Sequence, residues 1–454
     1  MVLNGKIDEC VSTPFTANLV DDDGNCFQKI HIFFAVSSLE ILLNQSSDTF
    51  HTAVRYILLI GQLFAIFPAS GILNKNSKKI RFRWISIRSF YCSVLILFQI
   101  LNFLLALRRL GKLGISFSVF ATAFFYFVTL SGSVILFHLA RTWNKIVRRI
   151  ERTEITFLHE PYHQVGWPMY RKLRLVASLL ILGAVLEHGM YFMAKFVNSR
   201  TQLKQCNLKV PIYEHYLKTE RRHIFSVLPY HIALASLIEW SNICSTLCWS
   251  FLDVFLTLFS ISMAYRFKQL SDRMKRVRFK TNPDTFWIEI RSHFTELTML
   301  LNYLDKKLSN LIMLICGSNL YFICQQLFNS FEVPPDRLNT IYFWYSLIYI
   351  ITRTLTMLFF AASVNEAAKE PYQMLKALPH TSWSVEIQRF SDQLISEVIG
   401  FSGKRFFFIT RTLILALIGT IVTYELVLLD HVAEAPEVIQ RSCHVAYIES
   451  NMTS

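Results

Sequence analysis

Uninterrupted apolar runs of twenty or more residues recur along this chain, and they restrict its fold class more than any other feature. The hydrocarbon core of a bilayer is ~30 Å thick, so about 20 apolar residues suffice for one helix to cross it. A transmembrane barrel would instead show alternating strands of about ten residues. The sequence therefore predicts an all-α membrane protein that crosses the bilayer several times.

Eight apolar segments are long enough to be considered, and the last seven are predicted to span the membrane. The first, at 52–72, is interrupted by Arg55 and Pro68. If it spans, the N-terminus is external; if it only dips into the bilayer, seven spans remain and the N-terminus is internal. The seven predicted spans cover residues 85–108, 115–140, 172–198, 229–265, 309–331, 339–362 and 405–430.

The basic loops predict the orientation, because Lys and Arg are enriched in cytoplasmic loops. The richest are 141–174 and 266–308, which we therefore expect inside the cell. The connection at 332–338 and the tail after Asp430 are poor in Lys and Arg, so we expect them outside. Loop 199–224 is also basic, but the reverse topology would export the two richest loops. The net charge of +14 thus reflects these loops and does not indicate nucleic-acid binding.

Polar residues recur at helical spacing on several spans, and carboxylates are among them. Exposing the carboxylates of Glu187 and Glu239 to lipid would cost several kcal/mol of free energy, so each needs a partner or a water-filled cavity. Both fall toward the predicted outer half of the membrane. Carboxylates, amides and aromatic rings suit a polyhydroxyl ligand, since they accept hydroxyl protons and stack on C–H faces. The predicted ligand-binding residues are Glu187, His188, Tyr191, Glu239, Trp240, Asn242, Tyr321, Gln325 and Tyr345.

Structural roles are the alternative for these polar residues. Ser, Thr and Asn commonly join membrane helices by hydrogen bonds. Glu187 has two candidate partners on its own helix, Lys195 and His188, and a purely structural pair with either one stays open. Asp253 lies deeper, and we expect it to pair with Arg353 or with His138 rather than to contact a ligand.

Catalytic and metal-binding patterns are absent from the sequence. It has no CxxC pair, HExxH motif or Gly-rich phosphate loop, so we expect neither an enzyme nor a bound metal or cofactor. Five of the nine cysteines lie in apolar runs and are predicted to be buried thiols: Cys92, Cys244, Cys248, Cys316 and Cys324. Cys206 and Cys443 are both predicted outside and could pair.

The end of the last span carries a short motif, Thr423-Tyr424-Glu425 followed by apolar residues. It resembles the start of the TYhhhhhQF signature of insect gustatory receptors, and the TYE form is most similar to their sugar-receptor clade. The resemblance extends over much of the chain. Other similar stretches are Phe50-His51-Thr52-Ala53-Val54-Arg55 leading to Pro68-Ala69-Ser70-Gly71, Arg81-Phe82-Arg83-Trp84, and Leu139-Ala140-Arg141-Thr142-Trp143.

The resemblance implies the insect chemoreceptor channel fold, with seven transmembrane helices, a cytoplasmic N-terminus and an extracellular C-terminus. It favours a membrane-dipping segment at 52–72 within a cytoplasmic N-terminal region, 1–84. It places a ligand pocket in the helical bundle at 85–265, with two further spans in 309–362. It also implies cytoplasmic anchor helices, in which subunits meet, at 141–170, 266–308 and 363–404, a pore-lining helix at 405–430 and an extracellular tail at 431–454.

The function that the resemblance implies is a sugar-gated, non-selective cation channel for sweet taste in the plasma membrane of sensory neurons. The implied partners are mono- or disaccharides, cations in the pore, further copies of the chain in a tetramer, other gustatory receptor subunits and the lipid bilayer. Two other classes compete with this hypothesis. One is a seven-helix G-protein-coupled receptor, against which the loop charges argue by placing the N-terminus inside. The other is a sugar transporter, for which paired repeats are expected and not seen.

The resemblance also implies roles for the outer end of the last helix. The predicted pore and gate residues are Thr423, Tyr424, Leu428, Leu429 and Asp430. Leu428 and Leu429 would form an apolar constriction, which gates by dewetting. The chain departs from the signature where Asp430 and His431 replace Gln and Phe. In a tetramer Asp430 would give a ring of carboxylates that concentrates cations; the alternative is a solvated helix end.

Overall fold

The structure is a computed structural model. It describes residues 48–114, 116–277, 282–331, 336–379, 383–396 and 398–432. Side chains are described throughout these ranges except for those of Phe117, Phe331 and residues 425–432. Apart from Asp48, the described residues belong to one unit of the chain that begins at Thr49.

The first described element is helix α1, Phe50–Leu63, whose start is capped because the Thr49 side chain accepts a hydrogen bond from the Thr52 N–H. Its 14 residues would rise only ~21 Å, which is less than the thickness of a bilayer core. After α1 the chain forms strand β1, Ala69–Ser70, which pairs antiparallel with β2, Arg81–Phe82. Segment 52–72 is thus a short helix followed by a hairpin strand, and not one continuous span.

A series of long helices follows the hairpin. In chain order they and two short helices are α2 Ile87–Leu113, α3 Phe117–Phe157, α4 Met169–Gln205, α5 Ile212–Glu220, α6 Arg222–Phe225, α7 Ile232–Val277, α8 Asp284–Phe328 and α9 Arg337–Lys376. In the described part of the chain, six of these, α2, α3, α4, α7, α8 and α9, are long and apolar enough to cross a membrane. Several continue well past the predicted spans; α7 has 46 residues, or ~69 Å.

Helix α7 is the centre of the bundle. Of its most apolar 18-residue window, 94% is buried by other parts of the protein, against 17% for α4. A helix that is surrounded by protein can carry polar groups, provided that neighbouring helices satisfy them. The buried Asp253 on α7 illustrates this, because its Oδ2 lies 2.9 Å from Nε of Arg353 on α9. The predicted pairing of Asp253 with Arg353 is confirmed.

The end of the chain departs from the predicted single helix over 405–430. Helix α10, Val385–Ser396, is followed by strand β3, Ser402–Gly403, which pairs with β4, Phe407–Phe408. In the three-residue connection between these strands, Lys404 and Arg405 both have positive φ, 50° and 62°, and the Phe406 N–H donates to the Gly403 carbonyl at 3.0 Å. The last helix, α11, therefore begins only at Arg411 and runs to Val432. Its 22 residues still rise ~33 Å, enough for a seventh crossing.

The β3–β4 hairpin is held against the long helix α8. The Asp305 carboxylate on α8 accepts hydrogen bonds from the Ser402 N–H at 2.6 Å and from the Ser402 hydroxyl at 2.7 Å. At the start of α11, Arg411 lies 3.4 Å from Glu366 of α9. The start of the last helix is thus linked to α8 through the hairpin and contacts α9 through an exposed ion pair.

Gly71 in the first hairpin is a position where the backbone requires glycine. Its φ is +79°, and a Cβ there would lie 2.4 Å from the carbonyl oxygen of Lys79. We expect Gly71→Ala to destabilise the protein by at least ~1–2 kcal/mol, seen as a lower Tm of the detergent-solubilised protein. The control is Gly111→Ala in α2, where a Cβ would meet nothing within 4 Å and helix propensity improves. Equal melting temperatures for the two variants would contradict this account.

Candidate functional site

A cavity of about 480 Å³ lies between α3, α4, α7, α8 and α9, and residues around the α5–α6 junction contribute to its wall. Its volume is within the ~300–1,000 Å³ typical of small-molecule sites. Its wall contains both polar and aromatic side chains. The lining residues used below are Ser118, Thr122, Tyr126, Glu187, His188, Tyr191, Lys195, Glu220, Arg221, His223, Asn242, Trp249, Gln325, Tyr342, Ser346 and Arg353.

The α5–α6 segment lies against the bundle because it carries its own small apolar cluster. Tyr216, Leu217 and Ile224 of this segment are buried together with Ala235 and Ile238 of α7. Arg221, at the junction between α5 and α6, has a non-helical backbone, with φ −111° and ψ 38°. This break in the helix separates Arg221 from His223, and both line the cavity.

Arg353 contributes a positive charge to the cavity wall, and its guanidinium is paired with neighbouring side chains. Besides the Asp253 pair, its Nη1 donates to the Ser250 hydroxyl at 2.7 Å. Asn319 links the same groups, because its Nδ2 donates to Asp253 Oδ1 at 2.7 Å. The Arg353 guanidinium also lies over the Trp249 ring, 4.2 Å from its centroid. A cation held in this way is a fixed structural charge.

The other cations of the cavity wall are also paired. Arg221 Nη2 lies 3.1 Å from Oε2 of Glu239, and Lys195 Nζ lies 3.3 Å from Oε1 of Glu220. Glu187 differs from these residues. Its Oε1 accepts hydrogen bonds from the Ser346 hydroxyl at 2.9 Å and from the Tyr342 hydroxyl at 3.4 Å.

Glu187 is the carboxylate in this cavity wall that has no ion-pair partner among the described residues. Its second oxygen, Oε2, accepts no hydrogen bond from the part of the chain that the structure describes. A carboxylate oxygen at a cavity wall is a strong acceptor for a ligand hydroxyl. The alternative pairing of Glu187 with Lys195 is not formed, because Lys195 pairs with Glu220 instead.

His223 contributes a neutral imidazole to the wall. Its pKa is lowered to about 3, first by burial and then by the nearby positive charge of Arg221. The ring lies close to Tyr126, with centroids 5.2 Å apart, and Nε2 lies 3.4 Å from Oδ1 of Asn102. At physiological pH this histidine therefore offers hydrogen-bonding groups without adding charge.

The structure brings five of the sequence-predicted ligand residues together in one wall. They are Glu187, His188, Tyr191, Asn242 and Gln325. Tyr191 is positioned by the α5 segment, since its hydroxyl donates to Glu220 Oε2 at 3.0 Å. These residues come from three different long helices, so their convergence depends on the packing of the bundle.

The other four predicted ligand residues do not line the cavity. Glu239 is buried beside it, where it pairs with Arg221 and accepts a hydrogen bond from the Tyr216 hydroxyl at 3.2 Å. Trp240, 41% exposed, faces the outside of the bundle, and its Nε1 donates to Tyr91. Helical position explains this difference: consecutive residues on α7 point about 100° apart, so Trp240 and Asn242 cannot share a face.

Tyr321 and Tyr345 are held in helix contacts rather than in the cavity wall. The Tyr321 ring packs on Phe124 of α3, with centroids 4.5 Å apart. The Tyr345 hydroxyl donates to the Gly183 carbonyl of α4 at 3.3 Å, and its ring stacks with Tyr349. Both tyrosines thus join neighbouring helices, as the structural alternative for polar residues in spans anticipated.

The structure adds lining residues that were not in the predicted site. Some of them belong to, or lie beside, the polar residues that recur at helical spacing along the predicted spans: Ser118, Thr122, Tyr126, Tyr342 and Arg353. Others had no such signal. Glu220, Arg221 and His223 lie in a basic loop between spans, and only their position against α7 brings them to the cavity.

The predicted pore and gate residues all fall within α11. Thr423 is exposed, and its hydroxyl donates to the Gly419 carbonyl of its own helix at 2.9 Å. Tyr424 is partly buried and lies near Tyr321. Leu428, Leu429 and Asp430 belong to the helix, but their side chains are outside the described residues.

A second cavity, of about 260 Å³, lies between parts of α8, α9 and α11. Its wall is almost entirely apolar and includes Leu320 of α8, Leu358 of α9 and Leu417 of α11. Among the described residues, no group of three or more His, Cys, Asp or Glu side chains could hold a metal ion.

The sequence is similar to known receptors over most of its length. The sequence model of a family described as "Trehalose receptor" matches residues 36–443. The gustatory receptor for sugar taste 64a of Drosophila melanogaster is 36% identical over 401 residues, which cover 87% of this chain and 88% of that receptor. The gustatory receptor for sugar taste 64b is 35% identical, over 84% of this chain and 95% of its own. The gustatory receptor 5a for trehalose is 28% identical, over 84% and 85%.

The fold is similar to that of a solved insect olfactory receptor. The structure of OR5 from Machilis hrabei in complex with eugenol matches with a TM-score of 0.58, covering 83% of this chain and 97% of OR5 at 14% identity. The predicted all-α membrane fold of the insect chemoreceptor class is thereby confirmed. The matched proteins are receptors and not enzymes. The match of the family model to most of the chain shows that this protein belongs to the gustatory receptor family that the trehalose-receptor model describes.

Proposed function

We propose that this chain is a taste receptor in which a neutral sugar binds the 480 Å³ cavity and opens a cation pore. The observation that carries the proposal is the composition of that cavity. Its described cations are all paired, while Glu187 keeps one oxygen free of described donors. The names of the relatives, receptors for sugar taste and for trehalose, support the same class of ligand.

The lining side chains suit a polyhydroxyl ligand without net charge. Glu187 would accept one sugar hydroxyl, and the amides of Asn242 and Gln325 can both donate and accept. The rings of Tyr191 and Trp249 offer flat surfaces for the C–H faces of a sugar. An acidic ligand would be disfavoured, because Lys195, Arg221 and Arg353 of the cavity wall are already in ion pairs.

Helices α8 and α9 offer a route from the sugar cavity to the last helix. Gln325 of α8 and Ser346 of α9 line the sugar cavity, and further along the same helices Leu320 and Leu358 line the apolar gap against α11. Sugar binding that shifts α8 or α9 would therefore change the support of α11. The gap leaves room for α11 to move, since it is not filled by side chains.

Four copies of α11 around a central axis would form the pore. Leu415, Gly419 and Thr423 are exposed on the side of α11 that does not line the apolar gap, and this face is then free to meet other copies. The outer end of α11 would carry the gate at Leu428 and Leu429, with Asp430 at its mouth. The pore would pass cations without strong selectivity, and other gustatory receptor subunits could join the tetramer.

The orientation we propose keeps the N-terminus and the long helix extensions in the cytoplasm and places the sugar cavity toward the outside. Cys206, immediately after α4, is disulfide-bonded, whereas Cys443 lies outside the described residues. Disulfides persist in oxidising surroundings such as the cell exterior, which supports an external position for this end of α4. The proposed location is the plasma membrane of sensory neurons.

Membrane currents test this function directly. The chain is expressed alone in cells that lack G-protein signalling, and a panel of mono- and disaccharides is applied. We expect an inward cation current with at least one neutral sugar and none with the matching sugar acid. Current that appears only with a second gustatory receptor subunit would agree with the proposed channel function and would show that the channel is a heteromer.

Two results would contradict the proposed channel. Sugar-evoked current that requires G-protein signalling would identify a G-protein-coupled receptor. Uptake of labelled sugar without any current would identify a transporter.

A further inference from the structure

Two arginines share one exposed tyrosine ring where α1 meets the start of α4. The Arg55 guanidinium carbon lies 4.7 Å from the centroid of the Tyr56 ring, and that of Arg174 lies 5.1 Å from it. Arg174 is also 5.4 Å from the ring of Tyr170. Tyr56 is 46% exposed, so the cluster lies at the outer surface of the bundle. Two like charges are thus held close together on aromatic faces.

Neither arginine has a carboxylate partner in the part of the chain that the structure describes. Arg55 Nη2 donates to the Tyr56 hydroxyl at 3.1 Å, and Arg174 Nη2 donates to the Thr52 carbonyl at 3.0 Å. Nη1 of each arginine donates no hydrogen bond to the described residues, so each guanidinium keeps donors for an outside partner. Two neighbouring cations without a carboxylate partner suit an anion with several acceptor oxygens.

The position of the cluster relative to the apolar helices indicates that the anion belongs to a membrane lipid. Lys172, two residues before Arg174, lies 5.3 Å from the Phe360 ring, near the end of the apolar part of α9. The cluster is therefore at the level where the apolar parts of the helices end. The adjoining loop 141–174 is one of the two most basic loops, which we expect in the cytoplasm. The cytoplasmic leaflet is the one rich in anionic lipids.

We propose that Arg55 of α1 and Arg174 of α4, which share the Tyr56 ring, bind the phosphate headgroup of an anionic lipid of the cytoplasmic leaflet. A guanidinium donates well to phosphate oxygens, and Nη1 of each arginine is the group left to do so. The exposed Tyr56 ring suits the interface between headgroups and acyl chains. Lipid bound here would fix α1 to α4. This site is separate from the sugar cavity and from the pore.

The test is a binding titration of the purified full chain in neutral detergent micelles, with a fluorescent phosphatidylinositol phosphate as the probe. We expect Arg55→Gln and Arg174→Gln each to weaken binding about fivefold, and the double variant about twentyfold or more. Lysine at both positions keeps the charges but not the guanidinium groups, so its affinity should fall between those of the unmodified chain and the double glutamine variant. The matched control is Arg276→Gln on α7, because Arg276 is already paired with Asp272 at 2.9 Å. Size-exclusion chromatography confirms that each variant is folded.

Two results would overturn the proposal. The double glutamine variant could bind the lipid as tightly as the unmodified chain. Inorganic phosphate at millimolar concentration could displace the lipid completely, which would identify a free anion as the ligand.

Discussion

Replacing Asp253 with Ala is expected to destabilise the protein by about 3–5 kcal/mol, the usual cost of removing one partner from a buried ion pair. Asp253 and Arg353 are both about 1% exposed, and their side chains lie 2.9 Å apart. Without the carboxylate, Arg353 would keep a full charge in the bundle centre with only the Ser250 hydroxyl and the Asn319 carbonyl oxygen as acceptors. Most of the receptor should then fail to reach the cell surface.

The measurement is the Tm of the detergent-solubilised receptor together with its surface abundance in cells. The matched control is Asp272→Ala, on the same helix α7. Asp272 also pairs with an arginine at 2.9 Å, but both partners are 36% exposed. An exposed pair contributes only ~0–1 kcal/mol, so the control should change little.

A double variant separates the lost ion pair from lost packing. Asp253→Leu combined with Arg353→Met replaces both charges with apolar side chains and should recover much of the stability. It should also alter the sugar response, since Arg353 lines the cavity. If Asp253→Ala proved as stable as Asp272→Ala, the ion pair would not be the central structural contact that the geometry indicates.

Replacing Glu187 with Gln is expected to raise the sugar concentration for half-maximal current about 10- to 100-fold. A hydrogen bond to a charged acceptor contributes ~1.5–3 kcal/mol, which corresponds to that range. The amide keeps the size of the side chain and can still accept from Ser346, so the wall of the cavity should keep its shape. The loss should therefore appear in the concentration dependence and not in surface expression.

The control for this prediction is Tyr345→Phe. Tyr345 lies on α9 one residue before Ser346, but its hydroxyl donates to the Gly183 carbonyl of α4, outside the cavity wall. We expect its half-maximal concentration to stay within about twofold of the unmodified receptor. A normal response from Glu187→Gln, or a loss confined to Tyr345→Phe, would place the sugar elsewhere in the bundle.

The pattern of apolar and polar residues along the sequence was sufficient to predict the fold class. Runs of apolar residues require helices in lipid, because each helix satisfies its own backbone hydrogen bonds. The same argument could not find the end of α1 at Leu63 or the hairpin before Arg411. Those boundaries depend on local backbone geometry, such as the positive φ angles at Lys404 and Arg405, inside segments that remain apolar.

Part of the ligand site was also accessible from sequence. Glu187, Tyr191 and Asn242 stood out because polar residues in spans are expensive and must face protein or a cavity. The direction in which each one faces was not accessible. Glu239 lies next to the cavity but is occupied by Arg221, a loop residue whose position no helical period predicts.

The sequence by itself determined that this chain is an all-α membrane protein, because only helices could satisfy the backbone of its apolar runs in lipid. It also determined that carboxylates such as Asp253 and Glu187 must be buried in protein or at a cavity. Tertiary structure alone decided which of them is available to a ligand. Asp253 and Glu239 are neutralised by Arg353 and Arg221, whereas the helices around Glu187 bring it only hydroxyl donors. Such pairings are made between distant segments, and spacing along one helix carries no information about them.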